Sequence, residues 1–149
     1  MERATAERLR ASGIPEEYHP YFAERGLGGL AEKMGIVFEQ MSPEHSTARM
    51  PVEGNTQPAG LLHGGAHLVL AETLGSVAAN IAAGPGRMAV GLDINATHQR
   101  SATSGWVTGT CTALHLGGSV CVHEVVMRDE AGRRLSTARI TNMIVERRA

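Results

Sequence analysis

Aromatic side chains are nearly missing from this chain: one Trp, two Tyr and two Phe, 3% of its 149 residues. So sparse a set does not build the stacking platforms on which single-stranded nucleic acid is held. A strong charge of either sign is lacking too, since 14 basic and 15 acidic residues leave a formal net charge of −1. A nucleic-acid binder needs a basic footprint, so no nucleic-acid partner is expected, although a small local anion site remains compatible with this balance. Cysteine is limited to Cys111 and Cys121, whose spacing makes neither a disulfide scaffold nor a zinc site. They read as free thiols in a reducing cytoplasm. The N-terminus, Met1 to Arg8, lacks the apolar core of a secretory signal. The longest apolar run, 66–83, is interrupted by Glu72, Ser76 and Asn80, so it reads as a core helix and no membrane association is expected.

What is present suits one globular domain with one core. Residues 1–12 and 16–31 read as two helices separated by Ser12-Gly13-Ile14-Pro15, together forming an N-terminal helical arm over 1–31. The main domain then spans 32–149. It opens with strands at 35–40 and 46–52 and a Gly- and Pro-rich loop over 53–62. A long helix follows from Gly64 to Ala83, stopped by Gly84-Pro85-Gly86. Four more strands are predicted near 88–97, 104–115, 118–128 and 133–146, and their short turns imply antiparallel hairpins. The fold class is therefore α+β: one long central helix wrapped by an antiparallel sheet of about six strands. Such a sheet leaves two long edges, a feature often resolved by pairing with another subunit, so a homodimer at least is expected.

The most informative stretch is Gln57-Pro58-Ala59-Gly60-Leu61-Leu62-His63-Gly64-Gly65, followed by the apolar helix that carries one carboxylate, Glu72. A helix this apolar reads as buried, where a carboxylate is costly to desolvate. No Lys or Arg occurs between Arg49 and Arg87 to pair with it in sequence. At the helix N-terminus the first N–H groups lack intrahelical partners and the dipole favours negative charge. The pairing suggests an oxyanion site at Gly64 working with a basic or nucleophilic Glu72. Yet Glu72 lies eight residues beyond Gly64, roughly 12 Å along one helix axis. One reacting carbonyl cannot touch both. Either the two groups are unrelated, or the site forms between two subunits.

Several neighbours are candidates with competing readings. Ser76, one turn beyond Glu72, either holds a water or reacting group beside it or bonds back to its own helix. His63 either orients the loop, the reading favoured here, or caps the helix. His63 and His67 are four apart, but the double glycine between them and the position of Glu72 disfavour a metal site, and none is expected. His67 reads as a packed or partly exposed helix residue. Gln57 could donate to an oxyanion or hold a water. His98, Arg100 and Ser101 either meet a phosphate or simply end a strand. The turn His115-Leu116-Gly117-Gly118-Ser119 either offers backbone N–H groups to a phosphate or is an ordinary glycine-rich hairpin.

On these residues the chain, from about Gly35 to Val145, resembles the hotdog-fold acyl-CoA thioesterases. The branch is that of the Glu-type 4-hydroxybenzoyl-CoA thioesterase, the phenylacetate-pathway thioesterases and 1,4-dihydroxy-2-naphthoyl-CoA hydrolase. The likeness rests on 57–65, on Ala71-Glu72-Thr73-Leu74-Gly75-Ser76, on Val90-Gly91-Leu92-Asp93-Ile94-Asn95 and on Leu114-His115-Leu116-Gly117. The resemblance implies a thioester hydrolase with Glu72 as nucleophile or general base. It implies that the Gly64 N–H binds the thioester oxygen from the other subunit, that Gln57 and His63 polarise that group, and that Ser76 assists at Glu72. It further implies that Gly91, the segment His98-Gln99-Arg100-Ser101 and the turn His115 to Ser119 line the acyl or CoA site. CoA enters as part of the substrate, with no cofactor, and the assembly implied is a dimer of dimers. Ala59, where an aromatic is common, leaves the acyl preference open, with an aromatic acyl group the better expectation. A proofreading hydrolase for aryl carrier protein, a hotdog enoyl-CoA hydratase or dehydratase, and a non-catalytic acyl-CoA binder are the alternatives.

Overall fold

The computed structural model describes residues 5–23 and 26–147. Six strands form one antiparallel sheet: β1 (Val37–Gln40), β2 (His45–Pro51), β3 (Arg87–His98), β4 (Trp106–Leu116), β5 (Val120–Asp129) and β6 (Arg134–Glu146). Their order across the sheet is β1-β2-β4-β5-β6-β3. The expected strands, the central helix and the hairpins all appear, so the α+β hotdog architecture read from the sequence is the one observed.

The central helix, α4 (Gly64–Ala83), lies in the curve of that sheet. It is long and apolar enough to cross a membrane by length and composition. Here it packs into the sheet instead. Ala66, Leu70, Ala71, Leu74, Gly75, Ala78 and Ala79 recur at helical spacing and are buried. Their small size sets a close approach. A Cβ on Gly75 would stand 2.2 Å from Ile140 Cγ2, and one on Gly109 would stand 2.8 Å from Leu74 Cδ1. The strands answer with period two: Cys121, His123, Val125 and Met127 of β5 are all buried.

The arm departs from expectation. Two helices at 1–12 and 16–31 were predicted. The structure has α1 (Ala6–Ala11), a 3-10 turn at Glu16–Tyr18, α2 (His19–Phe22) and α3 (Gly29–Lys33). Residues 1–4, 24 and 25 lie outside the described residues. The break has a local cause: Gly26 and Gly28 adopt φ of 59° and 90°, a region that ends helical backbone. Leu9, Ile14, Phe22 and Ala31 of the arm join the same apolar core as Phe38, Met50 and Leu70.

The two sheet edges differ. At β1 the arm closes the edge, with the Phe38 N–H donating to the Ser12 carbonyl at 2.9 Å. At β3 no further strand follows. Asn80 of α4 reaches one point of that edge, accepting from the Ala89 N–H at 2.9 Å. Beyond it, residues 90–93 are exposed, Val90 and Leu92 among them. A long edge with apolar side chains beside it is a template for pairing with another chain.

Candidate active site

The loop before α4 is tied into the fold by backbone bonds: the Gln57 N–H to Leu61, the Leu62 N–H to Ala102 and the His63 N–H to Asn55. They deliver His63 with extended backbone (φ −63°, ψ 133°), as an N-cap requires. Its Nδ1 accepts from the Gly65 N–H at 2.9 Å. His63 is thus the helix cap, correcting the preference for a loop-orienting role. With Nδ1 accepting, the proton of the neutral ring sits on Nε2. The Ala66 N–H turns back to the His63 carbonyl. Of the first three N–H groups of α4, that of Gly64 alone has no acceptor among the described residues.

Around that N–H lies a cleft of about 330 Å³ lined by Gln57, Leu61, His67, His98, Gln99 and Arg100, with Ser101 at its edge. His98 is fixed by register: it pairs with Ser136 across β3 and β6. The Ser136 hydroxyl donates to the Thr97 carbonyl at 3.2 Å and so accepts from His98 Nδ1 at 2.9 Å. His98 Nε2 is left as an acceptor. It stands 2.9 Å from where a Cβ on Gly64 would be, so glycine is what lets the ring approach the helix end. Arg100 is held at the rim, Nη1 donating to the Arg134 carbonyl at 3.1 Å. Ser136 was not foreseen, because its role depends on a pairing of residues 38 apart.

His67 also belongs here, against the expectation of a merely packed residue. It is 3% exposed, stacked on His98 with centroids 5.2 Å apart, and its Nδ1 is buried without a protein partner. Burial, aided by the neighbouring His98, lowers its pKa from 6.5 to about 4. The unfolded chain therefore takes up this proton first as the pH falls. Stability should decline between about 6.5 and about 4 and level off below. Buried His123, also lowered mainly by burial, adds to the same slope. Replacing His67 with Leu is expected to recover about 2 kcal/mol of the acid-side loss. Urea titrations at pH 7.5 and pH 4.5 measure it, and an unchanged difference between the two would refute the assignment.

Glu72 is placed otherwise than its helix suggested. A buried carboxylate was expected. Its side chain is exposed, because it leaves α4 on the side between α3 and β3, where no strand covers the helix. Its Oε1 lies 3.8 Å from where a Cβ on Gly91 would stand, so the bare strand at Gly91 gives the carboxylate room. Beside it Asn142 is fully buried, with neither Nδ2 nor Oδ1 meeting a protein partner among the described residues. Ser76 lines the same cleft as Glu72. Among the described residues its hydroxyl makes no bond back to the helix, whereas Thr73 bonds the Val69 carbonyl at 2.7 Å.

The turn His115 to Ser119 lies at the far end of the sheet. Its Gly118 carbonyl accepts from Arg87 at the start of β3, and its Ser119 carbonyl accepts from the Ile144 N–H at 2.8 Å. The Gly117 N–H is engaged by the Val120 carbonyl at 2.9 Å, so the ordinary hairpin reading holds for that donor. In one protomer the candidates thus fall into three groups. Gln57, His63, Gly64 and His98 to Ser101 gather at the start of α4. Glu72, Ser76 and Gly91 sit at its middle, and His115 to Ser119 lie beyond.

Comparison with known proteins places this geometry. The family model of the thioesterase superfamily matches residues 59–136. The proofreading thioesterase EntH of Cronobacter sakazakii is 43% identical over 120 residues, 80% of this chain and 88% of that protein. The 1,4-dihydroxy-2-naphthoyl-CoA hydrolase of Escherichia coli is 44% identical over 121 residues, 80% of this chain and 89% of that protein. A crystal structure of a variant of the thioesterase PA1618 of Pseudomonas aeruginosa superposes with a TM-score of 0.79 at 34% identity, covering 98% of this chain and 97% of that one. That span includes the arm, which the sequence had set outside the resemblance. An unpaired helix-terminal N–H, a carboxylate on the same helix and these relatives converge: the chain belongs to the thioesterase superfamily and is a thioester hydrolase of hotdog fold.

Proposed function

We propose that this protein hydrolyses acyl-CoA thioesters to the free acid and CoA, at a site shared between two copies of the chain. The observation that carries the reading is the pair formed by the unpaired Gly64 N–H and the exposed Glu72, roughly 12 Å apart along one helix. Neither group is complete alone, and both lie along the open β3 edge. Antiparallel self-pairing of β3 brings the end of one strand beside the start of the other. With the two-fold axis between Ile94 and Asn95, the Gly91 level of one chain faces the His98 level of its partner. The Gly64 N–H of one protomer then addresses the same carbonyl as the partner's Glu72. The turn at His115 to Ser119, bonded to Arg87, approaches the other copy's His98 to Ser101 segment, where the CoA phosphates would meet Arg100, Gln99 and Ser101.

The chemistry follows. The thioester oxygen accepts from the Gly64 N–H and from the protonated Nε2 of His63, with Gln57 beside it, so charge developing on oxygen is stabilised. Glu72 either attacks the carbonyl carbon, expelling the CoA thiolate and giving an anhydride that water opens, or takes a proton from a water that attacks directly. Ser76 holds the water or the carboxylate. An aromatic acyl group is the favoured substrate. The protein would work in the cytoplasm as a homodimer associated further into a homotetramer. The apolar outer sheet face, with Leu114, Leu116 and Met143 exposed, is the surface for the second contact.

The test is thiol release from a panel of aromatic and aliphatic acyl-CoA esters, with free acid appearing in equal amount. Substrate loss without thiol release would move the protein to hydratase chemistry, and tight binding without turnover to a carrier role. The identity to the EntH proteins favours a second reading, an aryl carrier protein thioester as substrate. Rates on acyl-CoA and on acyl carrier protein decide between them. A single turnover in oxygen-18 water separates the two roles of Glu72, since direct water attack leaves no label on its carboxylate.

A further inference from the structure

The arm and α4 enclose a second cleft, of about 430 Å³, that the helix end does not share. Leu27, Leu30 and Ala31 wall it from the arm, and Val69 and Val77 from the helix. Glu72 is its one charged side chain, and no aromatic ring or cation lines it. At its mouth stand Gly28 and Gly29, where a Cβ would meet nothing within 4 Å, so the missing side chains keep the entrance open. Gly28, at φ +90°, holds a backbone that other residues rarely adopt. Glu72 simultaneously borders a smaller cleft on the β3 side, with Gly91, Asp93 and Ile94. The carboxylate therefore stands between the strand edge and the arm cleft.

We propose that the arm cleft is the acyl chamber, and that Leu27 to Ala31 select an uncharged, apolar acyl group larger than acetyl. The inference rests on the hydrolase reading above. A thioester that reaches Glu72 from the β3 side keeps its CoA there, next to the partner's helix end. The substituent on the other side of the carbonyl must then continue past Glu72, and the space it meets is this cleft. The lining sets the class. Aliphatic walls favour apolar groups, by about fourfold for each methylene fully buried. A second carboxylate on the acyl group would face Glu72 with no cation to balance it, and Asp93 lies on the near side as well. A cationic group would pair with Glu72 and occupy the reactive oxygen. The arm is thus part of the substrate site and not only a cover for the sheet edge.

The test compares kcat/KM for acetyl-, hexanoyl-, phenylacetyl- and succinyl-CoA in the full chain and in two variants. Wild type should prefer hexanoyl- and phenylacetyl-CoA to acetyl- and succinyl-CoA by more than tenfold. Val77→Phe, which fills the chamber from the helix side, should lower the phenylacetyl-to-acetyl ratio about tenfold. Leu30→Ala works from the opposite wall on a side chain already 59% exposed, so folding is not at stake. It should shift the chain-length optimum upward. Arg10→Ala, on the outer face of the arm, should change no ratio. If wild type hydrolyses these esters but both chamber variants keep its ratios within twofold, the chamber is overturned and the hydrolase stands. If succinyl-CoA is the best substrate, the assigned class is overturned. If no ester releases thiol, both readings fall together.

Discussion

Glu72→Gln is expected to lower kcat for thioester hydrolysis by about a thousandfold, with KM changed little. The amide matches the carboxylate in size and shape but neither takes a proton from water nor attacks a carbonyl. The structure makes this substitution unusually clean. Glu72 is exposed, belongs to no ion pair and accepts no hydrogen bond among the described residues. Its loss should therefore change stability by no more than about 0.5 kcal/mol, which a urea titration of both proteins checks. A large fall in turnover at constant stability assigns Glu72 to the chemistry. Near-normal turnover would remove it from both the nucleophilic and the general-base version at once. Glu72→Asp adds a graded point. Its carboxylate is one methylene short of its place above Gly91, so partial activity distinguishes a requirement for charge from one for position.

The exposure of Glu72 also shows where sequence reasoning reached its limit. An 18-residue stretch dominated by Ala, Leu, Val and Ile reads as buried on all sides, and most of α4 is. Composition cannot say which sector faces a strand and which faces the gap between two elements, because that depends on where the sheet ends. β3 ends it, and the arm stops short of it. The strands themselves were legible, since alternation and glycine turns such as Asp129 to Gly132 are local signals. The arm was less so. Its charged faces gave a helical period, while Gly26 and Gly28, the residues that break it, only reveal their conformation through φ. At the site, Gln57, Gly64 and His98 came together as their types suggested. His63 took the capping role usually filled by Ser, Thr, Asp or Asn, so its type alone was a poor guide. His67 could have been found: three residues past Gly64 on a helix puts it on the same side as the helix end.

Two inactive variants should restore one another when mixed. Gly64 is the first residue of α4 and follows an extended His63, a position where proline is tolerated both sterically and in helix geometry. Gly64→Pro deletes the one N–H assigned to the thioester oxygen and, with its ring near His98 Nε2, should cost about a hundredfold or more in kcat. Alone, Gly64→Pro spoils the donor half of both sites in a dimer, and Glu72→Gln spoils the acceptor half of both. In a hybrid dimer the two lesions share one site and leave the other intact. If subunits exchange freely, half of the dimers are hybrids with one working site each, so the mixture should recover about a quarter of wild-type activity. Differently tagged chains and native mass spectrometry confirm that exchange has occurred. Recovery at that level cannot arise from a site contained in one chain, because no chain in the mixture has both groups. Full exchange without recovery would mean that Gly64 and Glu72 serve no common carbonyl across the β3 edge. The separation along α4 would then have to be bridged by a substrate lying along a single protomer, with the oxyanion donor sought near Glu72, where buried Asn142 is the first group to examine.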